Sequence, residues 1–183
     1  RSGVFWSVAP LAALSQGSFL AIQTLWAGPW LRDIAGLDSR TVSFTLLAGA
    51  GGFVIGNVVV GFAAERLARR NIPPLVTAAT GMGLFILVQL LVLFEWTSAP
   101  GLLWFVFGAT GTTGVVIFSV LARAFPPELA GRASTAQNLL IFAAAFALQW
   151  GMGEVINLWP VAADGAYSVM GYRAAFGVAL ALQ

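Results

Sequence analysis

The sequence contains no cysteine, no histidine and no lysine, and only 9% of its 183 residues are charged. Without cysteine and histidine, the chain has no disulfides, thiolate sites, imidazole metal ligands or histidine-based catalytic triads. Without lysine, it also lacks a Schiff-base nucleophile and the phosphate-gripping lysine of a Walker loop. We therefore expect neither an enzyme nor a cofactor or metal site.

The scarcity of charge also argues against a water-soluble domain. Soluble domains carry about 25% charged residues, whereas this chain combines 9% charged with 59% hydrophobic residues and a mean hydropathy of +0.89. Its net charge of +2 provides no basic face for nucleic acid, so we expect no nucleic-acid partner. The composition predicts an all-α integral membrane protein whose surroundings are the lipid bilayer.

Apolar runs divide the chain into six predicted spans. A membrane-spanning helix needs about 20 residues, and the first five runs reach this length. Because the chain begins at Arg1 and stops within an apolar run, we expect it to be part of a longer protein. The prediction is a single six-helix bundle over residues 1–183 whose last helix is truncated, with spans at about 5–30, 41–64, 74–94, 102–122, 134–158 and 171–183.

A charged segment between the second and third spans sets the orientation. It carries four charges in six residues, Glu65, Arg66, Arg69 and Arg70. Positive loops are retained on the cytoplasmic side, so we predict that this turn faces inward in the inner membrane of a bacterium. Alternation of the spans then places six arginines inside and three outside. The predicted inner set is Arg1, Arg66, Arg69, Arg70, Arg123 and Arg132.

Two glutamines in the first span are candidates for a solute path. Gln16 and Gln23 are seven residues apart and share a helix face with Trp26. Lipid cannot satisfy the hydrogen bonds of an amide, so such side chains face protein or water. The simpler interpretation is that they join neighbouring helices, and the sequence leaves both interpretations open.

The fourth and fifth spans supply further polar candidates. Thr110 and Thr113 belong to a polar, small-residue centre of the fourth span, where their hydroxyls either line a path or bond carbonyls of their own helix. In the fifth span, Asn138 and Gln149 are eleven residues apart and therefore share a face. We take all four as candidate cavity-lining residues.

Glu154 is the only acidic residue well inside a predicted span, and intramembrane acids are default candidates for proton coupling. However, about twenty residues at roughly 1.5 Å each place it near the outer membrane interface. An interfacial or ion-paired role is therefore the alternative to coupling.

Glycines form a stripe along the second span. Gly52 and Gly56 are a small-xxx-small pair, and Gly49 lies on the same side. Such stripes let two helix backbones approach closely. We therefore expect this face to pack against another helix.

The charged segment also has a characteristic spacing. It resembles the loop signature that joins the second and third helices of each six-helix half in the major facilitator superfamily of secondary transporters. Glu65 stands where aspartate is usual, and Ala68 stands where glycine is usual. The matching run reads Gly61-x-x-x-Glu65-Arg66-x-Ala68-Arg69-Arg70.

A second run, Pro126-x-x-x-x-Gly131-Arg132-Ala133, is similar to the loop before the fifth helix of the C-terminal half in that family. Here Pro126 and Pro127 are predicted to end the fourth helix, and Gly131 is predicted to permit the turn into the fifth. The two runs occur in the family's order, which favours the C-terminal half.

The resemblance implies a secondary transporter that moves a small solute by alternating access together with an N-terminal six-helix half. It implies that the first, second, fourth and fifth helices line the cavity and that the charged loops act as a gate. Two alternatives remain, a transport-inactive membrane scaffold or assembly protein with this fold and a stand-alone six-helix protein that dimerises. The implied gating residues are Gly61, Glu65, Arg66, Arg69, Arg70, Gly131 and Arg132.

Overall fold

The computed structural model describes residues 2–183; Arg1, predicted to be on the inner side, lies outside the described residues. Helix covers 82% of the chain, and no residue in the described range belongs to a strand. A π-helical segment follows α1, and a 3₁₀ segment follows α5. The elements are α1 (Ser2–Ala21), the π segment (Ile22–Trp26), α2 (Ala27–Asp33), α3 (Ser39–Ala68), α4 (Pro74–Leu93), α5 (Pro100–Gly111), the 3₁₀ segment (Thr113–Val115), α6 (Val116–Ala124), α7 (Pro127–Ile156) and α8 (Val169–Ala181).

Five helical stretches are long and apolar enough to cross a membrane, which agrees with the predicted all-α membrane class. The sixth predicted span corresponds to α8, whose 13 residues fall short of the roughly 20 that a spanning helix needs. We call the five stretches the first to fifth spans in chain order. They are Gly3–Asp33, Ser39–Ala68, Pro74–Leu93, Pro100–Ala124 and Pro127–Ile156.

The start of the fifth span corrects one prediction. Pro126 has extended backbone, and α7 begins directly after it with Pro127 in its first turn, where a missing N–H costs nothing. Gly131 and Arg132 therefore lie in the helix rather than in a turn before it. A single glycine within a helix costs only about 1 kcal/mol, which thirty helical residues easily tolerate.

The charged turn is shorter than the sequence indicated, because α3 continues to Ala68 and holds Gly61, Glu65 and Arg66 in helical backbone. The chain reverses at Asn71, whose φ of 59° lies in the left-handed region that asparagine tolerates. The Asn71 N–H donates to the carbonyl of Ala68 at 3.0 Å.

The glycine stripe of α3 packs against α5, which confirms that prediction. A Cβ added at Gly52 would overlap the carbonyl oxygen of Phe105, and one at Gly56 would overlap the carbonyl oxygen of Ala109. From the other side, a Cβ at Gly108 would overlap the carbonyl oxygen of Gly49. The two backbones are thus in direct contact, which requires residues without side chains on both helices.

The remainder of α3 is open to its surroundings. Only Thr45, Gly49, Gly52 and Gly56 are buried, so one narrow stripe holds a 30-residue helix. Large hydrophobic side chains cover its other faces, and Phe62 is 71% exposed. Such a surface is stable only against lipid or another apolar protein surface.

A polar network joins the ends of the first span and α8. The carboxylate of Asp33 is 1% exposed and accepts hydrogen bonds from the Tyr172 hydroxyl at 2.9 Å and the Tyr167 N–H at 3.2 Å. Its other oxygen pairs with Arg32 at 2.9 Å. A buried carboxylate is tolerated only when its oxygens are occupied in this way.

Replacement of Asp33 by alanine is expected to loosen α8 and the loop before it. The change leaves the Tyr172 hydroxyl and the Tyr167 N–H without their acceptor, a cost of about 1–3 kcal/mol. Hydrogen–deuterium exchange over residues 157–172 should become roughly tenfold faster or more. Asp164→Ala is the matched control, because Asp164 accepts only from the Ala166 N–H within its own turn. Equal exchange rates in both variants would contradict a stabilising role of the Asp33 hydrogen bonds.

Candidate functional site: two helix breaks beside amides

Two spans interrupt their α-helical hydrogen bonding partway along their length. In the first span, residues Ile22–Trp26 are π-helical, and we call this segment the outer break after the side on which the sequence predicts it to lie. In the fourth span, residues Thr113–Val115 are 3₁₀-helical, and we call this segment the central break. Short π segments and mid-helix 3₁₀ turns are frequent at functional sites, and interrupted membrane helices form the substrate sites of many transporters.

The outer break has a local cause. Pro29 follows it by one turn and has no N–H to donate to the carbonyl of Leu25, four residues earlier. The regular hydrogen-bond ladder cannot pass this point, and a wider π turn is one way to accommodate the gap. The helix resumes as α2 at Ala27.

At the outer break, the fifth span reaches across to the first. The Gln149 amide nitrogen donates to the Thr24 hydroxyl at 2.8 Å, and that hydroxyl donates to the Leu20 carbonyl at 2.6 Å. The Trp26 indole N–H donates to the backbone carbonyl of Gln149 at 3.3 Å. The structure therefore brings two predicted residues, Trp26 and Gln149, together, and Thr24 joins them.

Gln23 lies in the same break but faces the second span. Its amide rests against Gly49, where an added Cβ would come within 2.9 Å of the amide nitrogen. Its Oε1 atom is buried and has no hydrogen-bond partner among the described residues. An unpaired buried amide oxygen costs about 1–3 kcal/mol, so this atom is an acceptor that water or a bound hydrogen-bond donor would satisfy.

Gln16 lies at the central break. Its half-buried side chain packs on Gly114 of the 3₁₀ segment, where an added Cβ would come within 2.9 Å of its amide nitrogen. Phe19 lies between the two glutamines in sequence and packs into the core beside Phe107, with ring centroids 5.7 Å apart. The two amides therefore meet different helices.

The threonines near the central break satisfy their hydroxyls locally. Thr110 donates to the carbonyl of Val106 at 2.8 Å, and Thr113 donates to that of Thr110 at 2.9 Å. This outcome matches the simpler of the two interpretations, bonding within the same helix. Thr110 is half-buried, whereas Thr113 is buried against Gly81 of the third span.

The two candidates on α7, Asn138 and Gln149, lie in different environments. Gln149 is half-buried at the outer break, whereas Asn138 is exposed. The neighbouring Gln137, which was not among the candidates, is fully buried and donates to the Ala9 carbonyl at 3.3 Å. The acceptor precedes Pro10, but the missing N–H of this proline frees the carbonyl of Trp6, four residues earlier, so no local signal in the sequence indicated the Gln137–Ala9 contact.

Glu154 is exposed near the end of α7, two residues before Ile156. No ion pair in residues 2–183 includes it. Its side chain makes no hydrogen bond to either helix break within residues 2–183, so its surroundings give no further support to a proton-coupling role.

The predicted gating residues lie at one end of the bundle. Glu65 pairs with Arg69 on its own helix at 2.6 Å, with both side chains more than half exposed. Arg66, Arg70 and Arg132 are all exposed, and in the described part of the chain none of them has a carboxylate within 4.0 Å. At Gly61 and Gly131, an added Cβ would meet no atom within 4 Å, so no described helix approaches either glycine closely.

Over residues 2–183 no three histidine, cysteine, aspartate or glutamate side chains group as metal ligands. No protein-family model, curated protein or solved structure matches this chain.

Proposed function

We propose that this chain is one six-helix half of a secondary active transporter that moves a small, neutral or weakly charged solute by alternating access. The observation that carries the proposal is the pair of helix breaks, each beside a half-buried glutamine, in a bundle whose charged residues within 2–183 lie towards its ends. Broken spanning helices place backbone groups and polar side chains where a solute can bind within a membrane.

The chemistry of the outer break favours an uncharged solute. Gln23 offers an unpaired amide oxygen, and the Gln149–Thr24 hydrogen bond can open to offer one donor and one acceptor. Within residues 2–183, no charged side chain takes part in a hydrogen bond at either break. A fully ionised solute would lack compensation for its desolvation there.

Alternating access requires a second half to rock against. The exposed apolar faces of α3 and α7 are available for it, since Phe62 on α3 and Phe146 on α7 are 71% and 72% exposed. An N-terminal six-helix half is the proposed partner, and a second copy of this chain is the alternative. The inner membrane of a bacterium is the proposed location.

Uptake into proteoliposomes by the full-length protein tests the proposal. A panel of labelled neutral solutes, such as sugars, polyols and amides, should include at least one whose accumulation exceeds that in protein-free vesicles. Imposed pH and sodium gradients then identify the coupling ion. If no solute is taken up although the reconstituted protein remains folded, the transporter proposal fails.

Replacement of Gln149 by leucine is expected to raise KM for the transported solute about tenfold, because one hydrogen bond contributes about 0.5–1.5 kcal/mol. The rate at saturation should change much less. Asn138→Leu on the same helix is the comparison, because Asn138 is exposed and outside both breaks. An equal change of KM in both variants would show that the solute does not bind at the outer break.

A transport-inactive membrane scaffold is the second candidate, and one observation favours it. Gln16 and Gln23 pack closely against Gly114 and Gly49, as amides that only join helices would do. For a scaffold, Gln23→Leu should leave every uptake signal at background while the fold stays intact. For a transporter, the same change should alter measurable uptake.

A further inference from the structure

A shallow groove of about 250 Å³ lies at the arginine-rich end of the bundle, on the side opposite the outer break along the first span. It is formed by the first turns of α1, the corner before α7 and the first turns of α7. One cation, Arg132, lines it together with six apolar residues. These are Phe5, Trp6, Phe125, Leu129, Ala133 and Ala136.

The charge at this groove is uncompensated within the described chain. Arg132 is exposed, and no carboxylate of residues 2–183 lies within 4.0 Å of its guanidinium. Glu128 is one turn earlier on the same helix, yet the two side chains do not form an ion pair. The surrounding end of the bundle is also basic, since Arg66, Arg70 and Arg123 lie there with the Glu65–Arg69 pair.

The apolar part of the groove exposes side chains whose contact with water would be unfavourable. Trp6 is 63% exposed and Leu129 is 39% exposed, and both lie at the end of a span, where the hydrocarbon meets the headgroups. A cation beside exposed apolar and aromatic side chains at this depth matches the two parts of a phospholipid.

We propose that this groove binds one anionic phospholipid, with its phosphate on the Arg132 guanidinium and an acyl chain along Phe5, Trp6 and Ala136. A second copy of the chain is a poorer occupant. A two-fold contact through the groove would bring Arg132 towards its own symmetry mate, and like charges would repel. The assignment stands independently of the transported solute.

Native mass spectrometry of the purified full-length protein tests the assignment, with phosphatidylglycerol and phosphatidylcholine of the same acyl chains as probes. Wild-type protein should retain phosphatidylglycerol at least fivefold better. Arg132→Gln should remove about fivefold of that preference, the effect of about one interfacial charge. Arg123→Gln is the matched control, since Arg123 lies at the same end but does not line the groove.

Ala136→Phe tests the apolar part separately, because its ring would occupy the groove and leave Arg132 in place. Retention of both lipids should fall in this variant, while soluble glycerol phosphate should not compete with phosphatidylglycerol in any of them. Equal retention by Arg132→Gln and wild type, or competition by glycerol phosphate alone, would overturn the proposal. The variant Ala136→Cys tests for a second copy in the groove. If it cross-links as a dimer, and if removing and adding back lipid does not change the yield of cross-linked dimer, the proposal is overturned as well.

Discussion

Replacement of Gly52 by leucine is expected to destabilise the protein by about 3 kcal/mol, the upper end for an overpacked interior. A side chain at this position would collide with the backbone of Phe105, whose carbonyl carbon would lie 2.8 Å and whose Cα would lie 3.1 Å from the new Cβ. Backbone atoms cannot rotate away as a side-chain tip can. The second span must therefore separate from the fourth, and the stripe on Gly49, Gly52 and Gly56 is all that is buried on α3 apart from Thr45.

Gly51→Leu provides a matched control for this prediction. Gly51 is the preceding residue on the same helix, and an added Cβ there meets no atom within 4 Å. Both replacements raise intrinsic helix propensity by about the same amount, close to 1 kcal/mol. The difference between the two variants therefore isolates helix packing. Unfolding in detergent micelles can be followed by circular dichroism. We expect Gly51→Leu to be at least as stable as the wild type and Gly52→Leu to be far less stable. Equal stability of the two variants would contradict the close contact between α3 and α5.

Much of the fold could be predicted because membrane insertion depends on local composition. Twenty apolar residues must form a helix in a bilayer to pair their backbone groups, so the run from 74 to 94 could be assigned directly and is α4 in the structure. The packing of the glycine stripe could also be predicted, since residues at positions 49, 52 and 56 share one side of any helix. The predicted turn at Gly131 is wrong, because this glycine lies within α7. The prediction treats glycine as a turn residue, although the preceding prolines already mark the start of the helix.

The site was less accessible to sequence reasoning, because its contacts join distant parts of the chain. Thr24 and Gln149 are 125 residues apart and meet only after the first and fifth spans pack. Equal spacing on a helix face predicted that Asn138 and Gln149 would act together, yet spacing does not indicate which end of the face another helix covers. Pro29 was the one local signal for the outer break, and its effect falls on the preceding turn rather than on its own position.

Replacement of Arg66 by alanine is expected to lower the maximal transport rate of the complete proposed transporter about tenfold or more and to leave KM within roughly twofold. Arg66 lies on the last turns of α3 and has no carboxylate partner in the described residues. Its guanidinium is thus free to bond the end of a helix across the proposed rocking interface in one of the two transport states. A hydrogen bond to a charged group contributes about 1.5–3 kcal/mol. A contact made in one state alone shifts the balance between states by that amount and does not alter the solute site.

Arg69→Ala is the matched control for this effect, because the Arg69 guanidinium already pairs with Glu65 on its own helix at 2.6 Å. An exposed pair of this kind contributes less than about 1 kcal/mol, so the rate should fall less than in Arg66→Ala. These arginines are also predicted to set the membrane orientation, which can be checked by comparing cysteine labelling with and without the replacement Ser98→Cys at this exposed position. If Arg66→Lys restores the rate fully, positive charge alone suffices. If Arg66→Ala leaves the rate unchanged and weakens binding, the residue acts at the solute site and not as part of a gate.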